Sequence, residues 1–446
     1  MANYKSLAEL GHIIQSLATS LDESLKDARL PQPLLSPQGA SSQILAYPDA
    51  AQAQRAELLD ALDELRALVL GPTSYLFYTS ILSPSWIGVF DVLYRCRIAY
   101  HVPAEGAISY ADLSALCGLE ESDTRRIVRA AISLRIFEEE PVEFVRHNAI
   151  SAVLKTPLAH DAVGFFTEEF TPAALKLAES LQRFPASGKA GESAIAIANG
   201  SVGDKDIFSL ISHDADRVKR FANAQSFNTT VLETSSSHLV NNMPWSPTCH
   251  PGHRECATLV VDVGGSRGDV CEALLSKYPG IKKAIVQDLP EVTEKNLERQ
   301  VSGPLTGRIE YQAYDFFTEQ PVKNADVYIF RTVLHDWPDS YAVRILQNQI
   351  PALKPGARIL INDICIHYTE GETSSIIKQA QCSHDIFVKM GLNAKERTRE
   401  DWTALLSAAD ERFEIKSIVT PPQSVHSILE VVWRGDLVKE GPGPLP

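Results

Sequence analysis

The sequence predicts an α/β protein with a mostly parallel sheet in its C-terminal half and a mainly helical N-terminal half. Three features carry this reading. From Thr258 onward, strand-length apolar runs alternate with helical segments, the pattern of a parallel sheet with right-handed crossovers. The first run, LVVDV at 259–263, opens directly into a glycine loop, GGSRG at 264–268. Before about residue 245, apolar residues recur mostly at helical spacing.

The chain has 446 residues, enough for two or three domains with full cores. Its net charge of −14 argues against nucleic acid and against an anionic membrane, since both call for a basic surface. Seven scattered cysteines do not make a disulfide framework and suit a reducing compartment. The N-terminus reads as an amphipathic helix without the basic start and unbroken apolar core of a signal peptide. The most apolar stretch, Ala67 to Tyr94, contains Gly71, Pro72, Pro84 and Asp91, so it does not read as one clean membrane span. A cytoplasmic protein acting on a small molecule is expected.

Residues 1–50 read as a helix followed by a Pro/Ser/Gln-rich linker, and 50–70 as another helix. The apolar run that follows, to about Tyr100, should form one or two buried helices. Within 51–190, ISYADLSALCGL and EESDTRRIVRAAISLRI read as two short helices, and FEEEPVEFVRHN as a hairpin, which together give a winged-helix layout. Only Arg125, Arg126 and Arg129 make its second helix basic, so dimer packing is favoured over DNA binding. Residues 191–250 read as a helical connector, with 214–240 as one helix. The α/β domain then spans 251–438, ahead of a tail at 439–446 that reads as disordered.

Strands are expected at LVVDV, KAIVQDL, RIEYQAYDF, ADVYIFRTV and ARILINDICI, and then at the terminal runs FEIKSIVT and SILEVVWR. Glycines after the first strand let backbone approach a ligand closely, but such a loop alone does not name the ligand. Asp262, two residues before Gly264 and Gly265, suits a cationic amino-acid moiety better than a pyrophosphate. Gly268 then opens the following helix. Asp288 ends the second strand, 26 residues after Asp262, where a carboxylate accepts from ribose hydroxyls. Asp315 and Phe316 end the third strand, where an adenine would meet a polar edge and an aromatic face. The fourth strand runs into FRTVLHDWPDS. Ligands gather at such carboxyl ends, and His335 lies there as a candidate base for a phenol or enol.

VVDVGGSRGDV, QDLPEV, YDFF, RTVLHDWPD, LKPGARILINDICI and AKERTREDW resemble, in order and spacing, the S-adenosylmethionine-dependent O-methyltransferases of plant and fungal secondary metabolism. The resemblance covers roughly residues 50–435, and Ser266 stands where that family's loop has a glycine. It implies a Rossmann-like class I methyltransferase domain with a seven-stranded sheet, behind a winged-helix dimerisation domain, and hence a homodimer. It implies S-adenosylmethionine as cofactor, held by Asp262, Gly264, Gly265, Gly268, Asp288, Leu289, Asp315, Phe316 and Arg331. It also implies His335 as general base, with Asp363 and Glu396 as the acids that orient it. Asp336 and Trp337 would shape the same loop.

The acceptor pocket should be apolar with few polar groups, and Phe227, Thr230, Trp337, Phe387, Met390 and Asn393 are its candidates. The expected reaction is methylation of a phenolic or enolic hydroxyl on a polyketide-type metabolite. The resemblance also implies a rival. Some fungal relatives keep the cofactor but catalyse dehydration or pericyclic cyclisation, and in these a Lys or Arg tends to replace the base histidine. The presence of His335, Asp363 and Glu396 favours methylation. Cys249, His250, His253 and Cys256 fall within eight residues, a loop too short to wrap a tetrahedral zinc, so no metal is expected.

Overall fold

The computed structural model describes residues 5–36, 39, 47–203, 205–244, 257–297, 305–366 and 373–435. Two compact units emerge. One comprises Met1–Leu177, Ile207–Leu232 and Gly371–Lys378; the other comprises Ala178–Asp206, Glu233–Glu370 and Gln379–Pro446. The division is less contiguous than the sequence suggested. Residues 178–206 cluster with the sheet, and 207–232 with the helices. The Cys/His run at 249–256, where no metal is expected, lies outside the described residues, as does the tail from 436.

In the helical unit, helix Leu7–Asp27 starts on a capping box between Ser6 and Glu9 and packs along helix Asp49–Leu76. Gly71, at φ +69°, breaks the second helix. Helix Ser83–Arg95 follows. The expectation of buried helices up to Tyr100 holds only at the far end. Val89, Leu93, Ile98 and Ala99 are buried, while Leu68, Val69, Tyr75, Leu76, Phe77, Tyr78, Ile81 and Ile87 are exposed. By length and composition, Asp49–Arg95 is the segment among the described residues apolar enough to cross a membrane, with 11% of its most apolar window buried.

The helix–helix–hairpin layout is present. β1 (Ile108–Ser109) leads into helix Tyr110–Cys117, which the Ser109 hydroxyl caps and Gly118, at φ +68°, ends. Helix Glu121–Ser133, β2 (Glu138–Glu139) and β3 (Phe144–Arg146) follow, and the strands pair antiparallel in the order β1-β3-β2. All three arginines of the second helix are engaged: Arg125 with Glu121 and Glu143, Arg126 with Asp123, Arg129 with Glu139 and Glu143. The span 214–240 is not one helix. Helix Ala215–Asn228 stops at Thr229, and a separate short helix covers Ser237–Asn241. The first of these packs on helix Pro157–Phe165, where Asn223 Nδ2 donates to Asp161 at 2.5 Å.

The second unit holds β4 (Leu259–Val263), β5 (Lys283–Asp288), β6 (Ile309–Ala313), β7 (Val327–Arg331), β8 (Arg358–Asn362), β9 (Cys365–Ile366), β10 (Arg397–Thr398), β11 (Phe413–Val419) and β12 (Ile428–Trp433). Seven strands form one sheet in the order β11-β12-β8-β7-β4-β5-β6. β8, β7, β4, β5 and β6 run parallel, while β12 runs antiparallel to both of its neighbours, β8 and β11. The chain moves outward from β4 to β6, then returns to place β7 on the other side of β4. The strand order therefore reverses between β4 and β7, and such reversals open a crevice at the strands' carboxyl ends. Near-continuous apolar burial in β4, β5, β7 and β8 fits a sheet covered on both faces.

The fifth expected strand is shorter than predicted. β8 ends at Asn362, Asp363 interrupts it, and β9 instead pairs in parallel with β10. That small ladder ties the Asp363 region to the segment carrying Glu396. β6 likewise ends at Ala313, leaving Asp315 and Phe316 in the turn beyond it.

Candidate active site

The first half of the site is a backbone cradle. The N–H groups of Gly264 and Gly265 both donate to Gln287 O, at 2.8 and 3.0 Å, which curls the loop over the end of β5. Gly264 has φ +75° and Gly268 +80°, conformations that favour glycine. A Cβ on Gly265 would stand 2.7 Å from the Asp262 carboxylate and 2.9 Å from Val286. Ser266, at φ +48°, donates its N–H to Asp288 Oδ2 at 2.9 Å, and Leu289 N–H donates to Asp288 Oδ1 at 2.8 Å. Both carboxylate oxygens are thus oriented by backbone. Leu289 itself is exposed.

Asp262 is buried, and burial pushes its pKa up to about 6 against the opposing pull of the Cys271 thiol and Arg331. The thiol lies 3.6 Å from Asp262 Oδ2. Arg331 ends β7. Its Nη2 donates to Thr234 O at 2.8 Å, while its Nε is buried without a partner among the described residues. Burial lowers the guanidinium pKa; Asp262 and Asp363 pull it back up. Phe316 meets Phe317 and Trp337 edge-on, with ring centroids 5.1 and 6.0 Å apart, and Asp315 Oδ1 accepts the Phe317 N–H at 2.9 Å.

These groups fit S-adenosylmethionine. The cradle excludes side-chain atoms where a ligand backbone passes. Asp288 would offer its oriented carboxylate to ribose hydroxyls. Arg331 Nε, without a partner among the described residues, would donate to the ligand's carboxylate, and Asp262 would accept from its amino group.

The second half is made of side chains. His335 sits in the 3₁₀ turn Leu334–Asp336 that follows β7, and is buried. Its Nδ1 lies 2.7 Å from Glu396 Oε1, and its Nε2 lies 3.6 Å from Asp336 Oδ1. Asp363 touches the backbone rather than the ring, with Oδ2 accepting the His335 N–H at 3.1 Å. One acid therefore orients the imidazole and the other fixes the loop carrying it. One oxygen of each, Asp363 Oδ1 and Glu396 Oε2, is buried without a partner among the described residues. Burial lowers the His335 pKa, but Glu396, Asp336 and Asp363 together outweigh it and hold the imidazolium up to about 10. Burial in turn raises the Asp336 pKa to about 6 and pushes Asp363 upward.

Three supporting groups carry no role in the sequence reading. Arg397 is fully buried. Its guanidinium donates to Leu334 O at 2.9 Å and Trp337 O at 2.8 Å, and pairs with Asp339 at 2.8 Å, so it clamps the His335 turn. It lies in the KERT run, directly after Glu396, where the motif gave a signal. His384 and His426 approach from helix Ser375–Leu392 and from the turn between β11 and β12, with rings 6.4 Å apart. No local pattern in the sequence marks that pair.

The pocket candidates separate. Phe227 and Thr230 belong to the helical unit, where the Thr230 hydroxyl donates to Phe227 O at 2.7 Å. Trp337 is buried in an aromatic cluster, 4.8 Å from Phe317 and stacked 5.7 Å from Tyr341. Met390 is buried and Phe387 half-buried on helix Ser375–Leu392. Asn393 directs its amide to Ser187 O at 2.9 Å and Lys189 O at 3.2 Å, and its oxygen to Lys389 at 2.5 Å, so the structure ties it to the 187–189 segment. No metal-holding group of His, Cys, Asp and Glu occurs among the described residues.

Residues 250–411 match the O-methyltransferase domain family. O-methyltransferase kk1A of Curvularia clavata is 32% identical over 96% of this chain and 97% of its own length. The grayanic acid biosynthesis cluster O-methyltransferase of Cladonia grayi is 31% identical over 98% and 90%. Among solved structures, LepI in complex with SAM has the same fold, with a TM-score of 0.72 at 23% identity over 95% of this chain and 99% of that one.

Proposed function

Since the chain belongs to the S-adenosylmethionine-dependent O-methyltransferase family, we propose that it methylates a phenolic or enolic hydroxyl of a polyketide-type metabolite, with His335 as general base. When bound, S-adenosylmethionine supplies an electrophilic methyl group on a sulfonium. The protein's task is then to align the acceptor oxygen and remove its proton. The observation that carries the reading is the Glu396–His335 pair at the switch point, 2.7 Å apart and buried. Glu396 fixes Nδ1 and leaves Nε2 for the hydroxyl, the logic of an oriented base. Asp363 and Arg397 hold the loop so that this nitrogen stays in place.

One observation supports a second reading. With a pKa near 10, His335 rests as an imidazolium. A cation is a hydrogen-bond donor and activates a carbonyl, as a dehydratase or pericyclase acting on a polyketide-derived substrate requires. The fold is shared with a protein described as a pericyclic reaction enzyme, at a TM-score of 0.73. Mass spectrometry separates the two readings. A product heavier by one methyl, with demethylated cofactor released, is expected for the first. An isomer of unchanged mass, or loss of water alone, would replace it with the second.

The exposed apolar face around Leu68–Ile87 supports a homodimer, because an apolar patch of this kind marks an interaction surface. Sedimentation analysis is expected to give twice the chain mass; a monomer at micromolar concentration would refute it.

A further inference from the structure

Helix Ser375–Leu392 brings a second imidazole to the side-chain half of the site. Gln381 and His384 lie one turn apart on it. Gln381 Nε2 donates to Val425 O at 3.1 Å, and the His384 ring stands 6.4 Å from both His426 and Phe387. The neighbouring residue, Asp385, accepts the Glu396 N–H at 2.8 Å. This turn of helix is therefore fixed against the segment that carries Glu396.

The hydrogen bonding of His384 determines its tautomer. Nδ1 lies 2.8 Å from Ala380 O, and a carbonyl oxygen only accepts, so Nδ1 carries the hydrogen. The neutral ring then presents a lone pair at Nε2. That atom has no hydrogen-bond partner among the described residues, and the residue is only half-buried. Burial lowers the His384 pKa and the charge of His335 adds to that, outweighing Ala380 O and Glu396. His426 is also held neutral by burial, so it adds no competing cation. The site thus holds an imidazolium at His335 and an imidazole acceptor at His384.

We propose that His384 is a specificity-determining residue whose Nε2 accepts a hydrogen bond from a second hydroxyl of the substrate, so that the site selects aromatic acceptors carrying two hydroxyls. A phenol titrates near ~10, well above a lowered imidazole, so His384 holds this hydroxyl without taking its proton. A bound substrate lacking the second hydroxyl covers this acceptor without pairing it, which is how a polar pocket discriminates between close analogues. The inference rests on the reading of a hydroxylated aromatic substrate, but not on methyl transfer.

The test uses the full-length protein with ¹⁵N-labelled histidine and two probes, 1,3-dihydroxynaphthalene and 2-naphthol. The His384 resonance is assigned through His384→Phe. The diol is expected to shift the Nε2 signal and 2-naphthol to leave it in place. His384→Phe is expected to weaken diol binding about 10- to 100-fold with little effect on 2-naphthol, and His384→Gln, which keeps an acceptor at that distance, to restore part of it. An Nε2 signal unmoved at millimolar diol, or equal weakening for both probes, overturns the proposal. Absence of methylated product from either probe counts against the methyl-transfer reading alone, because binding selectivity and the Nε2 shift are read without turnover.

Discussion

At the ends of β4 and β5 the candidate site is mostly backbone, whereas at the ends of β7 and β8 it is side chains gathered from distant segments. The first region uses Gly264, Gly265 and Gly268, with Ser266 and Leu289 N–H groups bracing Asp288. The second assembles His335, Asp363, Glu396 and Arg397, with His384 and His426 nearby. A backbone cradle recognises the shape of a ligand common to a whole family. A set of side chains can change the reaction while the fold stays the same. The contrast teaches that a cofactor site is proposed from one strand–loop unit, while the proposed chemistry rests on His335 and the acids Asp336, Asp363 and Glu396 buried around it.

The largest expected effect lies on the side-chain half. His335→Ala should lower turnover about 10²- to 10⁴-fold while S-adenosylmethionine affinity, measured by calorimetry, stays within about twofold. Loss of cofactor binding in that variant would erase the distinction between the two halves. Next is Gly265→Ala, whose Cβ would stand 2.7 Å from the Asp262 carboxylate. Overpacking of this kind costs about 1–3 kcal/mol, expected as weaker cofactor binding with the rate at saturation largely kept. An unchanged Kd would mean that the cradle is looser than its geometry implies. The smallest effect is expected for Asp288→Asn, which keeps one oxygen acceptor but loses the charge and turns an amide toward one of the two backbone N–H groups that brace the carboxylate. Affinity should fall about fivefold to tenfold, because a charge-assisted bond is replaced by a neutral one. A fall as large as for Gly265→Ala would shift weight from shape to charge.

The two halves also differ in how much the sequence reveals. The seven strands were legible because near-continuous Val/Ile/Leu runs between helices read as buried parallel strands, and Asp262 and Asp288 stand at fixed offsets from the glycines. The break after Asn362 was not legible, since NDICI continues the apolar run. Only the β9–β10 pairing, a contact between segments some thirty residues apart, ends it. The same limit hides His384, which is an ordinary polar residue on an amphipathic helix until the turn holding His426 packs beside it. The exposure of Leu68–Ile87 was missed for a related reason, because apolar periodicity reports a face to be covered without saying whether the same chain covers it. The bonds of Asn393 to Ser187 O and Lys189 O are equally hidden, because they depend on a segment about two hundred residues earlier.

The pH dependence of kcat/KM tests the role of His335 most directly. Its pKa is raised to about 10 by Glu396, Asp336 and Asp363, so near neutrality the base form is a small minority. A base route should therefore accelerate about tenfold per pH unit and level off near 10. Glu396→Gln removes the leading charge that raises this pKa and should move the rising limb to lower pH. A wild-type profile that stays flat through neutrality and falls only near 10 would contradict the base role and assign His335 to hydrogen-bond donation instead.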